Sequence, residues 1–127
     1  MFKSLMPNIM TESIEETIEF YTKKLSFTVV EKVEPEEGKA VFVILSKDNC
    51  LLSFQEKSSL IEEYNTLKTS QIKPTFTLFF KVENVDEIYR NLSADITMAS
   101  ELHETFYGTK EFAIFDNNGN ILTLAGE

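Results

Sequence analysis

Apolar positions along this chain recur with two periods, and the two alternate in a fixed order. Ile14, Ile18, Tyr21 and Leu25 fall at helical spacing on one side of residues 12–25. Ser13 followed by Glu16 is a capping-box pattern at the start of that stretch. Glu12, Glu15, Glu16 and Glu19 crowd its beginning and Lys23 and Lys24 its end, an ordering that suits the helix dipole. Before it, residues 2–10 read as a strand, and Pro7 confines that strand to an edge or a bulge. After it come three segments of strand character, residues 27–33, 40–45 and 50–55. Pro35 and Gly38 mark the first turn between them, and polar residues 46–49 mark the second. The opening of the chain is therefore predicted as β-α-β-β-β.

Residues 58–68 carry Leu60, Tyr64 and Leu67 on one side and predict a short connecting helix, followed by a linker over 69–74. The pattern then restarts. Residues 75–82 form a strand pattern, and Asn84 with Glu87 resembles a second cap. Val85, Ile88, Tyr89 and Leu92 make the apolar stripe of the helix that follows. Strands are predicted over 96–100, 111–115 and 121–124, and Asn118-Gly119 marks a hairpin turn within 116–120.

Two β-α-β-β-β units suggest an internal repeat. A shift of 71 carries Glu12, Ser13, Ile14, Glu15 and Glu16 onto Glu83, Asn84, Val85, Asp86 and Glu87. A shift of 70 carries Gly38, Phe42 and Ile44 onto Gly108, Phe112 and Ile114, and Leu51, Leu52, Ser53 and Phe54 onto Ile121, Leu122, Thr123 and Leu124. The fold class that follows is α+β: two βαβββ modules forming a curved mixed sheet, with helices on the outer face and a concave cavity on the other. The modules span about 1–57 and 75–127, with the connecting helix and linker over 58–74, all within one domain. Alternation along each strand sorts residues between the two faces. Phe76, Leu78, Phe80 and Val82 are expected against the helix, and Thr77, Phe79 and Lys81 on the concave side. Ile121 and Thr123, Leu51, Ser53 and Gln55, and Met6 and Asn8 join the concave set.

Composition narrows the function. The 127 residues carry a net charge of −9, which disfavours a partner with a phosphate backbone and argues against nucleic acid. No apolar run approaches a membrane span, and residues 1–10 do not read as a secretory signal, so the default expectation is a cytoplasmic protein. A lone Cys50 can make neither an internal disulfide nor a Cys-rich zinc site, and it reads as a small buried hydrophobe. His103 reads as a solvated side chain in a loop over 101–105. Among eleven Phe and four Tyr, five read as core: Phe20, Phe54, Phe76, Phe80 and Phe112. Phe79, Phe106, Tyr107 and Phe115 are candidates for a cavity wall or a dimer seam.

The stretch Met6-Pro7-Asn8-Ile9, through Ser13-Ile14 and Phe20-Tyr21 to Leu25-Ser26-Phe27, resembles the opening of the bleomycin-resistance-like branch of the vicinal-oxygen-chelate (glyoxalase/bleomycin resistance protein/dioxygenase) superfamily. Val82-Glu83-Asn84-Val85-Asp86 is similar to the start of its second module. Tyr107-Gly108 and the run Phe115-Asp116-Asn117-Asn118-Gly119-Asn120-Ile121-Leu122 resemble its closing signature. The resemblance implies paired modules, a homodimer and a ligand site in the concave cavity. It also implies, for the enzymes of the superfamily, a metal held by His or Gln on the first strand of each module and by Glu on a last strand. Here those positions hold Met6, Thr77, Ser53 and Thr123, none of them an ordinary ligand for such a metal. The expectation is a binding protein with no metal, no cofactor and no catalytic residue. It would sequester a small cationic or aromatic molecule, as bleomycin-resistance proteins do, through Met6, Asn8, Ser53, Gln55, Thr77, Phe79, Tyr107 and Thr123. The alternative is a metal-dependent lyase or dioxygenase with displaced ligands.

Overall fold

A computed structural model of the chain describes residues 1–68, 71–73 and 75–127. The expected linker 69–74 thus lies partly outside the described residues, at Thr69, Ser70 and Pro74. The chain divides into two compact units, Met1–Ile72 and Lys73–Glu127.

The first unit contains β1 (Asn8–Thr11), α1 (Ile14–Glu19), β2 (Thr28–Val33), β3 (Phe42–Lys47), β4 (Cys50–Glu56) and α2 (Lys57–Glu63). Its strands form one sheet in the order β1-β4-β3-β2. β1 runs parallel to β4, and the other two pairings are antiparallel. The second unit contains β5 (Thr77–Lys81), α3 (Val85–Arg90), β6 (Met98–Glu104), β7 (Lys110–Phe115) and β8 (Ile121–Gly126). Its sheet has the order β5-β8-β7-β6, again with one parallel pair, β5 with β8. The two units therefore share one topology, and the α+β class with two βαβββ modules is the observed architecture.

Each sheet buries the face that its helix covers. In the first unit Val43, Leu45, Leu52 and Phe54 are buried beneath Ile14, Phe20 and Tyr21. Tyr21 is the hub, with ring centroids 5.3 Å from Phe20, 5.4 Å from Phe27 and 5.2 Å from Phe54. In the second unit Phe112, Ile114, Leu122 and Leu124 are buried with Val85 of α3.

Several local readings are corrected. β1 begins only at Asn8, because Pro7 has no N–H to give the ladder; its carbonyl instead accepts from the Ser53 amide at 2.9 Å. Met6 lies before the strand. The helix of the first unit is shorter than its pattern, and a π-helical stretch over Phe20–Lys24 continues it. Its buried residues are Ile14, Thr17, Phe20 and Tyr21; Ile18 and Leu25 are only half-buried. Thr17 tolerates burial because its hydroxyl bonds Thr11 Oγ1 at 2.9 Å and donates to the Ser13 carbonyl at 2.8 Å. Ser13 does cap α1, accepting from the Glu16 amide at 3.1 Å. Asn84 does not cap α3 with its side chain, since its backbone sits in the left-handed region at φ 57. Phe76 is exposed rather than core, because β5 starts after it, and Cys50 is half-buried rather than buried.

The repeat also needs a different alignment over the third strand. Ile44 pairs with Ser53 on β4, and Ala113 pairs with Thr123 on β8. Val43 and Leu45 are thus the counterparts of Phe112 and Ile114, all four buried beneath a helix. Phe42 and Ile44, matched to those two by the sequence shift, lie on the opposite face. The cause is the β7–β8 hairpin, which holds one more residue between the paired Phe115 and Ile121 than the β3–β4 hairpin holds between their counterparts Ser46 and Leu51. Its Asp116 Oδ1 accepts from the amides of Asn118 and Asn120 at 2.8 and 2.9 Å, and Gly119 supplies φ +81.

Candidate functional site

The face of each sheet away from its helix carries Asn8, Ser53 and Gln55 in the first unit and Thr77, Phe79 and Thr123 in the second; Met6 precedes β1, and Tyr107 lies in the loop between β6 and β7. In the first unit, register places Asn8 beside Ser53 and Met10 beside Gln55. Their side chains form one chain of hydrogen bonds. Asn8 Nδ2 donates to Gln55 Oε1 at 2.9 Å. Ser53 Oγ lies 3.0 Å from both Asn8 Oδ1 and the Pro7 carbonyl, and its single proton serves one of them at a time. Gln55 Nε2 donates to Ser59 Oγ at 3.0 Å and Glu63 Oε1 at 3.1 Å, which ties the sheet to α2. Ser53 and Gln55 are buried and Asn8 is exposed, so Asn8 is the group of this network that faces outward. Met6, before β1, and Leu51, on β4, are exposed apolar side chains.

α2 starts where β4 ends, and Glu56 caps it by accepting from the Ser58 and Ser59 amides at 3.0 and 3.3 Å. Burial alone would raise the Glu56 carboxyl above its usual value. Hydrogen bonds from the Ser58 hydroxyl and from those two amides outweigh it, and the group lies below that value.

In the second unit the far face holds three cross-sheet rows. Thr77, Ile121 and Phe115 form the first, and Phe79, Thr123, Ala113 and Ser100 the second. Lys81, Ala125, Glu111 and His103 form the third. Phe79 is exposed and Thr123 is half-buried.

Sequence reasoning missed the most developed chemistry on this face. β6 runs through to Glu104, so His103 is a strand residue and not a loop residue. It stands directly opposite Glu111. Glu111 is 7% exposed, a depth unusual for a carboxylate. Its Oε2 accepts from the Tyr107 hydroxyl at 2.6 Å and the Thr109 hydroxyl at 3.0 Å. Thr105 Oγ1 bonds Thr109 Oγ1 at 2.8 Å and braces the loop between β6 and β7. The shared proton holds the Tyr107 phenol above its usual value, with burial and the Glu111 charge acting in the same direction. Alternation from buried Phe112 and Ile114 does put Glu111 on the far face, but no feature of the sequence signals its burial.

The metal that the resemblance implies would have to be held by these donors. A catalytic transition metal needs about three strong protein ligands. Met6, Ser53, Thr77 and Thr123 supply a thioether and three hydroxyls. Their register neighbours on the first strands, Asn8 and Phe79, add only an amide and a ring. Among the described residues no group of three or more His, Cys, Asp or Glu side chains is placed to hold a metal ion. Glu101, two residues from the lone histidine, accepts from the Tyr89 hydroxyl. The donor set does not fit such an ion.

Solved structures with this fold are numerous. The chain is similar to a glyoxalase-related enzyme from Fulvimarina pelagi (TM-score 0.80, 14% identity, covering 100% of this chain and 89% of that one). It is similar to a glyoxalase/bleomycin resistance protein/dioxygenase family enzyme from Burkholderia phytofirmans PsJN (TM-score 0.74, 19% identity, 95% of each chain). It is also similar to the bleomycin-binding protein of bleomycin-producing Streptomyces verticillus, solved with copper(II)-bleomycin (TM-score 0.69, 14% identity, 100% and 98%). No curated protein matches the chain at significant similarity. No helix among the described residues is long and apolar enough to cross a membrane. The model of the Glyoxalase/Bleomycin resistance protein/Dioxygenase superfamily matches residues 4–124, nearly the full length, and the chain belongs to that superfamily.

Proposed function

We propose that this protein binds a small cationic or aromatic organic molecule without a metal, in the manner of a drug-sequestering protein. The observation that carries the reading is the chemistry of the far faces. They present a thioether and three hydroxyls where the enzymes of the superfamily are expected to hold a metal, with an amide and an aromatic ring beside them, and they lack strong metal donors there. Stacking and hydrogen bonding suit such surfaces better than Lewis-acid chemistry. Asn8, Thr77 and Thr123 supply polar contacts, with Ser53 and Gln55 holding the Asn8 amide in place. Met6, Phe79 and Tyr107 supply apolar contacts. The similar fold of a bleomycin-binding protein supports the ligand class. A cytoplasmic homodimer is part of the proposal, and sedimentation of the purified chain tests its assembly.

Calorimetric titration with bleomycin at low and high salt tests the binding. The expected result is saturable heat, weaker at high salt because the protein carries −9. Absence of heat at any salt removes the glycopeptide version of the reading. Metal analysis of protein purified without a His-tag tests the alternative. A stoichiometric transition metal lost in Glu101→Ala, His103→Ala or Glu104→Ala would establish a metalloenzyme with displaced ligands instead.

A further inference from the structure

Glu111 is a buried carboxylate without a cation. Among the described residues no Lys, Arg or His makes an ion pair with it. Two hydroxyl donors satisfy only part of a carboxylate's capacity to accept hydrogen bonds. Both hydroxyls bond Oε2; neither bonds Oε1, which reaches the surface, since among the described residues no fully buried side-chain oxygen lacks a partner. The neighbours along and across the strands on this face, Ala113 and Ala125, have no side chain beyond Cβ with which to cover it. Lys81, in the same row, stands two strands away and makes no ion pair with it.

The residue opposite adds a second acceptor. His103 Nδ1 lies 2.8 Å from the Glu101 carbonyl, which can only accept, so Nδ1 carries the proton. In the neutral ring Nε2 is left with a lone pair. An aromatic wall lies beside these acceptors: the Tyr107 ring, whose hydroxyl is bonded to Glu111, packs edge-on to the exposed Phe106 at 5.0 Å. Acceptors together with ring faces match a ligand that brings N–H donors, positive charge and an aromatic body.

We propose that Glu111, held by Tyr107 and Thr109 and faced by His103, is the anchor for an ammonium or amidinium group of the ligand. The proposal rests on the small-molecule reading above and names the ligand class for it. Its test is an NMR titration of the full-length protein with benzamidine, a cation at neutral pH, and with benzamide, its neutral isostere. Benzamidine is expected to shift the amide signals of residues 103–113 and to bind at least about tenfold more tightly than benzamide, as charge-assisted hydrogen bonds require. Glu111→Gln should abolish that preference while keeping a dispersed, folded spectrum. Tyr107→Phe, which keeps the carboxylate, should retain the preference and guards against a Glu111→Gln chain that fails to fold. Equal binding of the two compounds by the wild type, or an undiminished preference in Glu111→Gln, overturns the anchor and leaves small-molecule binding standing. Failure of both compounds to shift these signals also overturns the anchor, and the bleomycin titration then decides separately whether the wider reading falls.

Discussion

A carboxylate beside a phenol can be read spectroscopically. Tyr107 donates to Glu111, and that bond holds its phenol above the usual value of 10.0. In Glu111→Gln the phenol should ionise at lower pH than in the wild type, seen as an earlier phenolate absorbance in an alkaline titration. Glu56 gives a matching test in acid. As the cap of α2 it should contribute about 1 kcal/mol, read as the difference in urea stability between wild type and Glu56→Ala. Its carboxyl is depressed in the folded chain, so this contribution is fully present above the usual value of 4.5. It is lost as pH falls through the lower folded value, and the difference should shrink at pH 3. The residue scale was also where the sequence was least legible. Asn8, Ser53 and Gln55 followed from strand alternation, but their hydrogen-bond chain did not. Burial of Glu111 depends on a loop that folds Tyr107 and Thr109 back over the strand, and such a contact leaves no periodic trace.

Elements were legible wherever one face is buried. β3, β4, β7 and β8 alternate between core and far face, and their patterns located all four. β6 was cut short because it is mostly exposed, so its ladder with β7 holds it and no alternation marks it. The π-helical stretch left no signal in the spacing, and the buried set of this helix is Ile14, Thr17, Phe20 and Tyr21 rather than Ile14, Ile18, Tyr21 and Leu25. Two substitutions probe the packing that these elements share. Phe54 is fully buried against Tyr21, so Phe54→Ala should cost about 3–5 kcal/mol in denaturant unfolding. Gly126 ends β8 where an added Cβ would lie 3.0 Å from both the Val82 carbonyl and Val85 Cβ. Backbone cannot yield there as a flexible side chain can, so Gly126→Ala should lower the thermal midpoint, by overpacking worth about 1–3 kcal/mol.

At the scale of the whole chain, two units of one topology were visible in the sequence because capping residues, strand spacing and the hairpin turn recur in order. The repeat failed only where a longer hairpin moved the frame by one residue, enough to exchange the faces of a strand. The superfamily's name joins enzymes with a resistance protein, and the donor types here support the binding reading that we propose. A thioether and three hydroxyls stand where the enzymes of the superfamily are expected to hold a metal, while Glu111 and His103 stand elsewhere on the second sheet. The most direct test is calorimetric titration of bleomycin into protein that has been stripped with a chelator and dialysed. The expected result is saturable binding of metal-free bleomycin, unchanged when zinc, iron or manganese is returned to the protein. Binding that disappears on stripping and returns with one of those ions would contradict metal-independent recognition.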